Sequence, residues 1–165
     1  MSTFLINKTG QEAIGSLKAS KDIYSSDLTP REVCEFYIRV LENLKRKVEE
    51  ALAILPFLKL LEGEEGAVQS KDYVKELQKT RLKFALVINS VQKSITELLK
   101  LFSIAPTEEA KPLALQFYKN LAYLDYNLIL LLSQKEEKYG VVAVKSLERL
   151  IKLFKDMEVA VIAAA

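Results

Sequence analysis

The sequence contains no histidine and a single cysteine, Cys34. Without histidine, the chain lacks both the commonest metal ligand and the commonest general base at neutral pH. One cysteine can form neither an internal disulfide nor a multi-thiolate zinc site. We therefore expect no metal centre, no cofactor and no active site of the usual histidine- or cysteine-based kinds.

An excess of either charge is also lacking, because 24 basic residues stand against 22 acidic ones, for a net charge of +2. Strong electrostatic capture of nucleic acid is therefore not implied by the net charge. The balance of 50% hydrophobic and 28% charged residues is typical of a globular protein. A length of 165 residues fits one domain, with residues 1–28 as a lead-in and 29–165 as a helical bundle.

Long hydrophobic runs are the third absence. The run Leu128–Leu132 is far too short to span a bilayer, and the N-terminus lacks the pattern of a targeting segment. We therefore expect a soluble, cytoplasmic protein. Abundant leucine, lysine and glutamate with little cysteine and methionine is a composition that would suit a thermophile.

The start of the first long helix is a strong local signal. Thr29, Pro30 and Glu32 supply an N-cap hydroxyl, a proline at the first helical position and a glutamate three residues after the cap. Pro56 is expected to kink or end this helix, and residues 62–66 to break it.

The segment 70–102 carries a heptad seam, the pattern of left-handed bundle packing. Arg81 is its only member that is not apolar. The seam consists of Leu77, Arg81, Phe84, Ile88, Val91, Ile95, Leu98 and Phe102.

The next helix is predicted to restart near Thr107, to run to about Tyr139 and to be closed by Gly140. At about 100° per residue, its polar side chains define a solvent face, and Asp125 points the opposite way. The predicted solvent face comprises Gln116, Lys119, Asn120, Tyr123, Asn127 and Gln134. The predicted inward face comprises Tyr118, Leu121, Ala122, Asp125, Leu128, Ile129 and Leu132.

A last helix over 141–161 and a short one over 10–19 complete the prediction. Short loops make sequential helices antiparallel neighbours. The fold class expected is therefore all-α, an antiparallel up-down-up-down four-helix bundle with a short N-terminal helix.

Arg81 and Asp125 are charged residues on faces that should meet, at nearly the same level of the hairpin. We predict an Arg81–Asp125 salt bridge in or near the core. One interpretation is a structural pair that sets helix register. The other is a polar site in which the arginine holds an anionic ligand.

Two surfaces are further candidates. One is a ladder of lysines, which is either a solvent-exposed face or a strip that binds the phosphates of a nucleic acid. The ladder consists of Lys71, Lys75, Lys79 and Lys83. A partner surface is predicted at Tyr123, Asn120 and Asn127, and at the apolar C-terminal tail with Val161 and Ile162.

The residues Lys8-Thr9-Gly10, Ser16-Leu17 and Ser20-Lys21-Asp22 loosely resemble the N-terminal nucleotide-binding segment of ATP:corrinoid adenosyltransferases. Members of that family are also small helical bundles. The likeness is confined to residues 8–22, with Gln11 where the family has an aspartate. Because Arg81 is the only arginine of segment 70–102, the family's arginine-rich catalytic motif has no counterpart, and no catalytic role is carried over.

Three functions remain open at this point. The first is a non-enzymatic bundle that works through protein–protein contacts or self-association, as an assembly subunit, adaptor or accessory protein. The second is a ligand- or nucleotide-binding bundle that uses Arg81, Asp125 and the Lys8, Thr9, Gly10 segment. The third is nucleic-acid association along the lysine ladder. The first of these functions is the one that we expect.

Overall fold

The computed structural model describes residues 29–64, 70–102 and 111–164. These residues form helices and no strand, which confirms the predicted all-α four-helix bundle. The predicted short helix at 10–19 lies outside the described residues. The helices are α1 Pro30–Gly63, α2 Lys71–Phe102, α3 Lys111–Gln134 and α4 Glu137–Ala164.

The four helices stand at the corners of a square in chain order. Helix α1 packs against α2 and α4, and α3 packs against the same two. Residue numbers that rise along one helix fall along its neighbour, so the arrangement is up-down-up-down. The side-chain contacts that show these directions are Lys47 Nζ to Ser90 Oγ at 3.0 Å, Tyr73 Oη to the Leu61 carbonyl, Lys45 Nζ to Glu148 Oε1 at 3.3 Å and Lys155 Nζ to Glu42 Oε1 at 3.7 Å.

Helix α1 begins where its capping signal predicted. The backbone N–H of Glu32 donates to Thr29 Oγ1 at 3.2 Å, with Pro30 in the first turn. Pro56 does not end the helix, which continues to Gly63 and stops inside the predicted break. Pro56 lies on the exposed side, where a missing backbone N–H is more easily tolerated.

The core confirms the heptad seam of α2 at six of its eight positions, while the side chain of Phe102 lies outside those described. Arg81 is only half-buried, and the neighbouring Thr80 is buried instead. The hydroxyl of Thr80 donates to the Glu76 carbonyl at 2.7 Å, so its burial leaves no unpaired donor. The buried seam residues are Leu77, Phe84, Ile88, Val91, Ile95 and Leu98.

A stack of aromatic rings joins three helices in this core. The ring of Phe154 in α4 lies between Tyr37 of α1, at 5.0 Å, and Phe117 of α3, at 4.7 Å between centroids. Such pairs contribute about 0.5–1.5 kcal/mol each beyond the area they bury. The stack shows that Phe117 marks the inward side of α3.

The junction between α3 and α4 corrects the predicted helix end. Helix α3 stops at Gln134, and Lys135 follows with a φ of 53°, in the left-handed region. The backbone N–H of Lys135 donates to the Leu131 carbonyl at 2.9 Å and so closes the last turn. The left-handed conformation of a lysine costs about 1–2 kcal/mol of stability. Contacts of the Lys135 side chain can offset this cost.

Gly140 lies inside α4 and does not close α3, so the expectation that it caps a helix ending near Tyr139 is wrong. A Cβ added at Gly140 would overlap the side chain of Leu52 in α1. The glycine therefore serves close approach of two helices. A glycine that permits helix contact and one that caps a helix look alike in sequence.

Candidate functional site

Helix α3 carries two apolar stripes on different sides. Its inner stripe is buried, and Phe117 places it against the aromatic stack. Its outer stripe occupies positions rotated by about 130° from the inner one, at 100° per residue. The inner stripe consists of Ala114, Phe117, Leu121, Leu124, Leu128 and Leu131. The outer stripe consists of Leu115, Tyr118, Ala122, Tyr126 and Ile129.

The outer stripe is open to solvent along its whole length. No described helix packs against this side of α3, so the four large side chains of the outer stripe are exposed. The exposed fractions are 52% for Leu115, 40% for Tyr118, 57% for Tyr126 and 48% for Ile129, and Ala122 is also exposed.

The sequence-based orientation of α3 was therefore wrong by nearly a quarter turn. Tyr118, Ala122 and Ile129, predicted to point inward, are exposed. Asn127, predicted to lie in solvent, is buried, and its side-chain amide donates to the Tyr123 carbonyl at 2.9 Å. Leu121 and Leu128, also predicted to point inward, are buried. The predicted face therefore lay between two apolar arcs of the helix, and the packing against α2 and α4 buries one of them.

Asp125 borders the outer stripe and does not face the core. It is half-buried, and burial raises the pKa of its carboxyl above the usual value. Among the described residues, no salt bridge or hydrogen bond to its side chain is present. A carboxylate that is partly desolvated without a compensating partner is destabilised relative to one in water.

Arg81 does not pair with Asp125, so the predicted salt bridge is wrong. The guanidinium Nη2 of Arg81 lies 3.6 Å from Glu62 Oε2 in α1. Lys135 reaches the same carboxylate, with Nζ 2.9 Å from Oε1 and 3.2 Å from Oε2. Helix α3 is rotated from the predicted orientation, so that Asp125 borders the outer stripe and does not face the core.

The Glu62 cluster joins three parts of the bundle at one end. Its two cations come from α2 and from the left-handed residue after α3, and its anion from the end of α1. The two cations already have an anionic partner there. The cluster thus links the end of α1 to α2 and to the residue that follows α3.

The remaining predicted surfaces differ in what the structure describes. Tyr123 is 49% exposed, and Asn120 is half-buried with its amide donating to the Gln116 carbonyl at 2.8 Å. The side chains of Val161 and Ile162 lie outside those described. Asn127 does not belong to a partner surface, because it is buried.

The lysine ladder is exposed throughout, at Lys71, Lys75, Lys79 and Lys83 on α2. Exposure agrees with a solvated face, and an aromatic stacking side chain beside the ladder is not among the exposed residues described for α2. The segment Lys8, Thr9, Gly10 lies outside the described residues.

The remaining candidates for chemistry in the described part of the chain are the cysteine thiol and the potential metal ligands. The thiol of Cys34 is buried, and burial, with Glu158 and Glu35 nearby, raises its pKa to about 11, so it stays protonated at neutral pH. Within residues 29–64, 70–102 and 111–164, no group of three or more potential ligand side chains could hold a metal ion.

Among the residues that the structure describes, two cavities bear on ligand binding. The core void lined by the aromatic stack measures about 10 Å³, at the lower limit for a single water. An open groove of about 470 Å³ between α1 and α4 is lined by side chains of both charges, without a converging polar set. Its lining residues are Glu35, Ile38, Arg39, Lys155, Glu158 and Val159.

The outer stripe is thus the feature that the sequence-based reasoning missed as a surface. Its signal was present in the spacing of Leu115, Tyr118, Ala122, Tyr126 and Ile129, at steps of three, four, four and three. None of the described helices is both long enough and apolar enough to cross a bilayer. No protein-family model, curated protein or solved structure matches this chain.

Proposed function

We propose that this protein works through protein–protein contact, as an assembly subunit or adaptor, with the outer stripe of α3 as its contact surface. The single observation that carries the proposal is the exposure of four large apolar or aromatic side chains at helical spacing, from Leu115 to Ile129. Scattered exposed hydrophobics need no explanation, but a contiguous stripe does.

The size of the stripe supports a contact surface. Four large side chains about half exposed offer on the order of 400 Å², if a fully exposed side chain of this kind presents about 200 Å². The largest apolar patch on a typical monomer covers about 300–600 Å² and is often functional. Tyrosine is also among the residue types enriched at interfaces, because it combines apolar area with a hydroxyl.

The fold does not require these side chains. The inner stripe of α3 already fills the core, with Leu124, Leu128 and Leu131 fully buried. Polar residues at Tyr126 and Ile129 would leave the bundle intact and improve its solubility. Apolar residues at those positions therefore favour a role in binding.

Site-specific photocrosslinking tests the proposal. The full-length chain with a benzophenone amino acid at Tyr126 is irradiated in an extract of its native cells, and covalent products are identified by mass spectrometry. We expect a discrete product, with another protein or with this chain itself. The matched control carries the same group at Leu86 of α2, which is equally exposed at 57% and should give none. No discrete product from Tyr126, or the same products from both positions, would contradict the proposal.

A further inference from the structure

The outer stripe is symmetric about Ala122. Leu115 and Ile129 each stand seven residues from Ala122, and Tyr118 and Tyr126 each stand four residues from it. When two identical helices pack antiparallel across a two-fold axis, residues equally far from the axis in opposite directions lie level with each other. A second copy of the stripe would therefore place Leu115 beside Ile129 and Tyr118 level with Tyr126, twice over.

The residue on the axis is suited to a close crossing. Ala122 is exposed and is the smallest member of the stripe. Interaxial distances of about 8–10 Å depend on the size of the side chains at the contact. An alanine at the crossing point, with larger side chains on both sides, lets two helices approach and interdigitate.

The flanks of the stripe match in the same arrangement. In an antiparallel pair, each flank of one helix faces the same flank of the other. Tyr118 and Asp125 lie on one flank, four residues before and three residues after Ala122. Across the axis, the Tyr118 hydroxyl therefore comes within about 1.5 Å of the level of the other copy's Asp125, where it can donate to the carboxylate.

The opposite flank pairs in the same way. Lys119 and Tyr126 lie there, three residues before and four residues after Ala122. The ammonium of one copy then lies beside the tyrosine ring of the other, a cation–π arrangement. Within one copy, neither Lys119 nor Asp125 has a salt bridge to any described residue, so both are available.

We propose that the partner of the outer stripe is a second copy of this chain, packed antiparallel on α3 across a two-fold axis at Ala122. This inference rests on the proposed function and names its partner. About 400 Å² from each copy is below the roughly 800 Å² per partner of a standard stable interface. We therefore expect a weak, reversible dimer.

Cysteine crosslinking tests the register of this dimer. In a Cys34→Ala background, Ala122→Cys places the two thiols on the axis, whereas Leu115→Cys separates them by about 21 Å along the helices. Under mild oxidation, we expect a disulfide-linked dimer from Ala122→Cys and monomer from Leu115→Cys. Equal crosslinking at both positions, or none at Ala122→Cys, would overturn the proposal.

Sedimentation of the unlinked full-length protein gives an independent measurement. We expect concentration-dependent dimerisation, weakened at least tenfold by Tyr126→Lys and unchanged by Leu86→Lys on α2. A monomer at every concentration up to millimolar would overturn the two-fold dimer. If photocrosslinking at Tyr126 then still captures one other protein, the contact function survives and only the identity of the partner is wrong.

Discussion

Helices α2 and α3 lie side by side in the bundle, but they differ in how many apolar stripes they carry. Helix α2 has one dominant apolar seam, which is buried, and the exposed lysines from Lys71 to Lys83 mark its opposite side. Helix α3 has few charges and two apolar arcs. Periodicity assigns the core face where one arc exists and becomes ambiguous where there are two.

The difference also separates two roles of hydrophobic residues. On α2, the exposed Leu82 and Leu86 form one pair four residues apart, and the polar residues Gln78 and Asn89 end the row on either side. On α3, the exposed apolar residues repeat without a break from Leu115 to Ile129. The second pattern has the continuity of a helix-packing surface, although the bundle itself packs nothing against it.

The largest effect on stability is expected when a residue of the inner stripe of α3 is replaced, in comparison with a residue of its outer stripe. Leu124→Ala removes a fully buried side chain and should lower the free energy of unfolding by about 2–5 kcal/mol. Ile129→Ala on the outer stripe should change it by no more than about 0.5 kcal/mol. Urea denaturation of dilute protein measures both. Similar losses at the two positions would show that the outer stripe is packed within one copy.

A second effect is expected at Gly140, which lies inside α4 and does not close α3 as predicted. Gly140→Ala should destabilise the protein, because the overlap with Leu52 costs about 1–3 kcal/mol and outweighs a helix-propensity gain of about 1 kcal/mol. In a Leu52→Ala background, the same change should stabilise by about that gain.

A double-mutant cycle by thermal or chemical unfolding measures this reversal. If Gly140→Ala has the same sign in both backgrounds, close approach to Leu52 is not the reason for the glycine.

A smaller effect is expected at Arg81. Its contact with Glu62 is partly exposed and 3.6 Å long, and Lys135 keeps the same carboxylate paired. The Arg81–Glu62 contact should therefore contribute about 0–1 kcal/mol, measured as the coupling energy of Arg81→Ala and Glu62→Gln in a double-mutant cycle by urea denaturation. A value of about 3–5 kcal/mol would instead be typical of a broken buried pair, and would contradict the partly exposed geometry of this contact.

The smallest effect is expected at Asp125, where burial raises the pKa of the carboxyl in the folded state. A raised folded-state pKa means that the unprotonated form is the less stable one in the fold, so stability falls as pH rises through that pKa. Asp125→Asn should therefore melt slightly higher than the parent at pH 7, and the two should converge below the ordinary aspartate pKa of 3.8.

Melting curves of dilute, monomeric protein at pH 3 and pH 7 measure this difference. The control is Asp156→Asn, on the exposed side of α4. Asp156→Asn should not reproduce the pH dependence. A lower melting temperature for Asp125→Asn at pH 7 would reveal a favourable partner for the carboxylate within one copy.

Much of the architecture follows from residues that act locally. The cap at Thr29 and Pro30 works through hydrogen bonds and backbone angles within one turn. The seam from Leu77 to Leu98 works through a period that no other face of α2 repeats. These signals were sufficient for the helix start, the buried face of α2 and the fold class.

The tertiary structure decided what depends on a choice between neighbours. It selected which of two apolar arcs of α3 enters the core, gave Glu62 rather than Asp125 to Arg81, and used Gly140 for close packing. Each choice depends on the rotation of one helix against another, and several rotations bury similar apolar area. Such rotations are set by packing across the whole bundle, which no single stretch of sequence encodes.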